Sequence, residues 1–167
     1  ARRFLETDEN MKYAIVVASE NLSRVVDFND RNTCILFGDG AAAAVISKSD
    51  TLYSSYLGSD GSIANVLFAR SVNTNEKFAA ESDFNDGFEG DNMHEIYQNG
   101  KEVYKFAVKA LPHAFEKSAE KIGISADEID LFVPHQANLR ILETAAKNLG
   151  VSMDKFFVSL DKFGNTS

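Results

Sequence analysis

The sequence predicts an α/β fold, on three observations. Short apolar runs rich in β-branched residues recur along the chain, helical apolar periodicity fills the stretches between them, and polar clusters directly follow two of the runs. The clearest run is Lys12-Tyr13-Ala14-Ile15-Val16-Val17-Ala18-Ser19, which reads as a strand buried on both faces, as in a mostly parallel sheet. Residues 41–47 read the same way, and residues 2–9 read as the end of a helix. Residues 52–57 suggest a further strand, closed by a turn at Gly58-Ser59-Asp60-Gly61. Residues 70–92 are polar and read as a long excursion or lid, or equally as a disordered surface insertion, rather than as core.

Beyond residue 100 the periodicity becomes helical. Val103, Ala107, Leu111, Phe115, Ala119 and Ile122 recur every three or four residues, which predicts an amphipathic helix over 101–122 with a kink at Pro112. Ser125 and Glu128 have the spacing of a capping box. Leu131-Phe132-Val133 predicts a brief buried strand. Leu139, Leu142, Ala145, Ala146 and Leu149 mark the next helix, which Gly150 stops. Residues 156–160 predict the last strand.

Composition narrows the function. A chain of 167 residues with 44% hydrophobic content suits one ordinary core. Its 17 basic and 25 acidic residues give a net charge of −8, which disfavours binding to nucleic acid. No apolar run approaches the ~20 residues that a bilayer requires. Ala1-Arg2-Arg3-Phe4-Leu5-Glu6 has no signal-peptide core, so the cytoplasm is the expected location. A single cysteine, Cys34, excludes an intramolecular disulfide, and three histidines without a second cysteine form no zinc constellation. Cys34 sits in an apolar setting and reads as packing; His94 and His113 read as surface or helix-face residues.

Two polar clusters carry the chemistry. Pro134-His135-Gln136-Ala137-Asn138 follows one predicted strand, and Gly164-Asn165-Thr166-Ser167 follows another after a short turn. In open α/β sheets, ligands bind outside the carboxyl ends of strands, so His135 and Asn165 could converge there. A neutral imidazole and a carboxamide each donate a hydrogen bond to a carbonyl oxygen, and two such donors make an oxyanion hole. Spacing alone favours the plainer reading, a capping histidine and a turn asparagine. Gly38-Asp39-Gly40-Ala41 lacks both the Walker and the Rossmann spacing, and it reads as a tight turn packed against a neighbouring strand.

Phe37-Gly38-Asp39-Gly40-Ala41, Val133-Pro134-His135-Gln136-Ala137-Asn138-Leu139-Arg140-Ile141 and Gly164-Asn165-Thr166-Ser167 together resemble β-ketoacyl-[acyl carrier protein] synthase III, of the thiolase superfamily. The resemblance runs from about residue 10 to the end and is poor over residues 65–95, which look longer than in common members. It implies a thiolase-like layered fold that is incomplete. Residues 1–50 would end the first half and residues 51–167 would begin the second.

The resemblance also implies an acyltransferase that starts fatty-acid or related synthesis. A cysteine takes an acyl group from acyl-CoA, malonyl-[acyl carrier protein] loses carbon dioxide, and the enolate attacks the acyl-cysteine. His135 and Asn165 would bind the malonyl thioester carbonyl and its enolate. Gln136, Ala137, Asn138, Leu139 and Arg140 correspond to the carrier-protein-binding stretch, with Arg140 facing the acidic carrier or its phosphopantetheine. Lys105 and Lys147 match further basic docking positions, or else are ordinary solvated helix charge. Arg31 matches a CoA-nucleotide contact. Gly100 and Lys101 lie where the pantetheine channel begins, although family members often have Asn at the place of Lys101. No cofactor or metal is implied, no membrane or nucleic-acid partner, and the complete protein is expected to be a homodimer. The nucleophilic cysteine is expected in a segment preceding residue 1, and the family's last helix and strands beyond Ser167. A related acyltransferase without condensation, or a noncatalytic carrier-binding subunit, are the alternatives.

Overall fold

The computed structural model describes residues 1–69 and 95–167. The expected excursion over 70–92 and His94 lie outside the described residues. Helix α1 (Arg2–Thr7) buries Leu5. Strands β1 (Tyr13–Glu20) and β2 (Gly40–Ser47) fall where the apolar runs place them. They pair antiparallel, from Tyr13 opposite Ser47 to Glu20 opposite Gly40.

This corrects the expected parallel, doubly buried strands. Parallel neighbours need a crossover, usually a helix. Residues 21–39 supply only the 3₁₀ turn Leu22–Arg24 and tight turns, so the chain returns beside itself. Both faces stay open: Ile15 and Val45, opposite each other on one face, are each 70% exposed, and Val16 on the other face is 43% exposed. The pairing still matches bulk to space, with Val16 opposite Ala44 and Val17 opposite Ala43.

Residues 52–57 run without a ladder partner, so the strand expected there does not form. Lys121 Nζ instead donates to the Ser55 carbonyl at 2.7 Å. The expected turn at 58–61 is displaced by an Asx turn, in which Asp60 Oδ1 accepts the Ser62 N–H at 2.9 Å. Two short strands had no signal in the sequence, β3 (Leu67–Ala69) and β4 (Ile96–Gln98). They pair antiparallel, with Phe68 and Tyr97 rings 5.2 Å apart.

Helix α2 (Gly100–Glu120) matches its periodicity, and Asn99 caps it by accepting the Glu102 N–H. Pro112 lies buried within it. The Ser125–Glu128 capping box forms, with Ser125 N–H donating to Glu128 Oε2 at 2.8 Å. Helix α3 (Leu139–Leu149) begins at the Asn138 cap and ends at Gly150, whose φ of 70° is left-handed. The core lies under α3: Leu142, Ala145, Ala146 and Phe156 are buried, with Leu111, Phe132 and Leu160 packed against them. Phe132 and Phe156 stack at 4.8 Å.

The strands expected at 131–133 and 156–160 shrink to one parallel bridge, Phe132 with Phe156. Phe132 N–H donates to the Lys155 carbonyl at 2.8 Å and Phe157 N–H to the Phe132 carbonyl at 2.9 Å. Pro134 has no N–H for the next rung, so the ladder stops there. Leu131 and Val133 consequently flank a buried contact while staying exposed themselves. Residues 160–163 turn into α4 (Leu160–Phe163).

The apolar surface left open on β1 and β2 carries a consequence for residues 1–167 as an isolated polypeptide. Such patches drive association, and an unpaired strand edge templates it. Expressed alone, these residues are expected to self-associate and to unfold without a sharp transition in sedimentation and thermal melts. A monomer with one cooperative melt would contradict this.

Candidate active site

His135 leaves the backbone immediately after Pro134, where the bridge to Phe156 has just ended. Its neighbour Gln136 is held from both ends: Gln136 Oε1 accepts the Ser159 N–H at 2.8 Å, and Nε2 donates to the Phe157 carbonyl at 3.1 Å. Asn138 Oδ1 accepts the Arg140 N–H at 2.9 Å, starting α3. His135 thus sits on a short span fixed by the bridge before it and by the helix cap after it.

The imidazole keeps a solvent-facing edge, yet the protein packed around the rest of the ring disfavours its charged form. Burial lowers its pKa below the ordinary 6.5, and no neighbouring carboxylate opposes that shift. The neutral ring, which carries one N–H donor and one acceptor, is therefore the form present at neutral pH.

Asn165 is seated on the segment around Gly38. Its N–H donates to the Leu36 carbonyl at 2.9 Å, and its carbonyl accepts the Gly38 N–H at 2.8 Å, a parallel bridge between Phe37 and Asn165. A Cβ on Gly38 would overlap the Phe163 carbonyl. Gly164 takes φ +68°, which swings the chain from α4 onto this seat. Asp39 pins this segment from behind, accepting the Ser23 N–H at 2.8 Å and the Ser23 hydroxyl at 2.7 Å. The Ser23 backbone N–H, then its hydroxyl, hold the Asp39 carboxyl below its usual range. The tight turn expected at 38–41 does not form: the turns lie at 31–36, residues 38–39 are irregular and Gly40 opens β2, although Gly38 does pack closely on a neighbouring segment. The Asn165 Oδ1 accepts the Ser167 N–H at 3.1 Å, which leaves the Nδ2 hydrogens to offer outward.

His135 and Asn165 line one cavity of about 470 Å³. Its walls are mainly apolar: Phe37, Ile63, Leu67, Val103, Ala107 and Ile141 contribute. His135 and Asn165 thus share a mainly apolar hollow whose polar lining also includes Asp60, Gln98 and Tyr104.

The sequence matches two family models in turn. Residues 1–61 match 3-oxoacyl-[acyl-carrier-protein] synthase III, and residues 119–167 match the C-terminal part of that synthase. The chain belongs to the 3-oxoacyl-[acyl-carrier-protein] synthase III family. It is 44% identical to a β-ketoacyl-[acyl-carrier-protein] synthase III of Clostridium acetobutylicum, over 100% of this chain and 50% of that relative. Among solved structures, a synthase III of Thermus thermophilus superposes with a TM-score of 0.83 at 39% identity, over 100% of this chain and 50% of the other. That of Aquifex aeolicus superposes at 0.77 with 34% identity, over 93% of this chain and 45% of the other. The chain thus spans about half the length of the relatives it matches, and its architecture is part of their thiolase-like α/β fold.

The remaining residues that synthase III resemblance singled out divide into three groups. Gly100, Ala137 and Asn138 line the same cavity as His135 and Asn165. Arg31, Leu139, Arg140, Lys101, Lys105 and Lys147 are exposed and face outward. Lys105 is engaged by Glu102 at 2.7 Å. Gln136 is half-buried and turned toward residues 157–159. Cys34 is half-buried, and His113 meets the Tyr56 ring edge-on at 5.3 Å. Sequence reading missed the cavity walls on α2. Val103 and Ala107 already lay on its apolar stripe, but a stripe that lines a cavity has the same period as one that fills a core.

A burial-lowered imidazole gives a signed expectation. In the complete protein that carries this segment, NMR of labelled histidine should place the His135 midpoint below 6.5. The neutral donor then persists as pH falls to that lowered midpoint and is lost only beneath it. A midpoint at or above the ordinary value would contradict the packing described.

Proposed function

We propose that the complete protein containing these residues is a condensing acyltransferase that joins an acyl group from acyl-CoA to malonyl-[acyl carrier protein] with decarboxylation. The observation that carries the reading is the placement of His135 and Asn165 on one mainly apolar cavity, each with a neutral donor to offer. Breaking the carboxylate's carbon–carbon bond releases carbon dioxide and leaves its electron pair as an enolate. The negative oxygen of that enolate accepts hydrogen bonds from the His135 N–H and the Asn165 Nδ2. The enolate carbon then attacks the carbonyl of an acyl-cysteine, and the cysteine thiolate departs. That cysteine lies outside residues 1–167.

Neutral, prealigned donors suit this step because they favour dispersed negative charge without requiring solvent to reorganise. Acyl transfer without condensation forms no enolate and has no use for the pair. A noncatalytic carrier-binding subunit likewise has no use for them. The exposed Arg140, with Lys147 and Lys105 nearby on the helices, offers an acidic carrier protein a basic approach. Arg31 is the candidate contact for the CoA nucleotide, and Gly100 opens space for the pantetheine arm. Synthesis of fatty acids or related chains, in the cytoplasm and as a homodimer of two thiolase-like halves divided near residue 50, completes the proposal.

His135→Ala in the complete protein should lower malonyl decarboxylation by about 100- to 1,000-fold, the usual loss for one oxyanion donor. Transfer of the acyl group from acyl-CoA to the cysteine should persist, as followed by mass spectrometry. Equal loss of both half-reactions would assign His135 to the thiol instead.

A further inference from the structure

We propose that the Gln136 carboxamide is a positioning residue: it continues the parallel pairing that Pro134 interrupts, and so fixes His135 relative to Asn165. The inference rests on the condensing role given to that pair.

Two rungs of the ladder are main-chain bonds, Phe132 N–H to the Lys155 carbonyl and Phe157 N–H to the Phe132 carbonyl, at 2.8 and 2.9 Å. In a parallel pair the next rungs alternate by two residues. Residue 134 would therefore donate its N–H to the Phe157 carbonyl and accept the Ser159 N–H on its own carbonyl. Pro134 cannot donate. Gln136 makes both rungs instead, supplying the donor that Pro134 lacks and taking the place of its carbonyl: Nε2 donates to the Phe157 carbonyl at 3.1 Å, and Oε1 accepts the Ser159 N–H at 2.8 Å. The second Nε2 hydrogen reaches the Pro134 carbonyl at 3.1 Å, which folds the side chain back along its own strand.

A carboxamide carries the same donor and acceptor as a peptide group, so it can stand in for one. Glutamate lacks the donor, and asparagine is one methylene shorter. Residue 135 makes no rung to this partner in that alternation, so the Gln136 bonds fix the backbone on either side of His135 without engaging it. The other end of the link is Ser159, the residue that caps α4. Helix α4 runs directly into Gly164 and Asn165, so the side chain of Gln136 couples the His135 span to the segment that carries Asn165. This geometry accounts for a glutamine directly after the histidine independently of any outward docking contact.

The test uses the complete synthase. Gln136→Met keeps the length of the side chain and removes all three bonds. Malonyl decarboxylation is expected to fall about 10- to 100-fold, the loss typical of a misplaced catalytic group. Acylation of the cysteine and the melting temperature should stay near those of the parent. Unchanged decarboxylation overturns the proposal. So does a parallel fall of both half-reactions with the melting temperature, since that marks a merely structural role. If the variant does not fold, hydrogen exchange of the Ser159 amide in the parent enzyme decides: protection supports the link, and loop-like exchange overturns it. His135→Ala, run alongside, separates the two readings. If it leaves decarboxylation intact, the role assigned to His135 has failed, while the Ser159 amide still reports on the link.

Discussion

Gly38 has no side chain, and the space one would take is filled by the carbonyl of Phe163. That close approach lets two backbone bonds form between residues 36–38 and Asn165. Any larger residue would push the segments apart, and the carboxamide of Asn165 would leave the cavity wall with them. The seat is held in turn by Asp39, whose two oxygens grip Ser23, and by Gly164, whose left-handed φ aims the chain at it. The backbone seat of the asparagine depends on this glycine contact, and its two main-chain bonds do not involve the asparagine's own side chain.

The histidine is placed by different means. It stands between a parallel bridge anchored on stacked Phe132 and Phe156 and a helix cap made by Asn138. The bridge and the helix share the buried core of Leu142, Ala145 and Ala146. One donor is therefore tied to the core under α3 and the other to the segment before β2. Convergence of chemistry from distant parts of the sequence follows from two short parallel contacts rather than from a continuous sheet.

Much of this was legible beforehand, for identifiable reasons. Helix α2 was plain from its apolar period, and α3 from its period together with the Gly150 stop, whereas their caps at Asn99 and Asn138 emerge only in the structure. The pairing of β1 with β2 was misread because an apolar run encodes extended backbone but not direction, and its burial depends on what else packs there. The runs at 131–133 and 156–160 promised strands, but Pro134 and the α4 turn reduce them to one bridge. Strands β3 and β4 are three residues each, too short for any period to show. His135 and Asn165 were legible as motifs, whereas the cavity that joins them was not, since its walls come from α2 and from residues 60–67.

The central claim is that His135 and Asn165 act as one unit on a single enolate oxygen. A double-mutant cycle on malonyl decarboxylation by the complete synthase tests it most directly, with His135→Ala, Asn165→Ala and the pair compared. Groups that act as a unit are strongly non-additive, so the double variant should be scarcely slower than the worse single one. If the two losses simply multiply, or if either single variant keeps the parent rate, the two residues do not share one enolate.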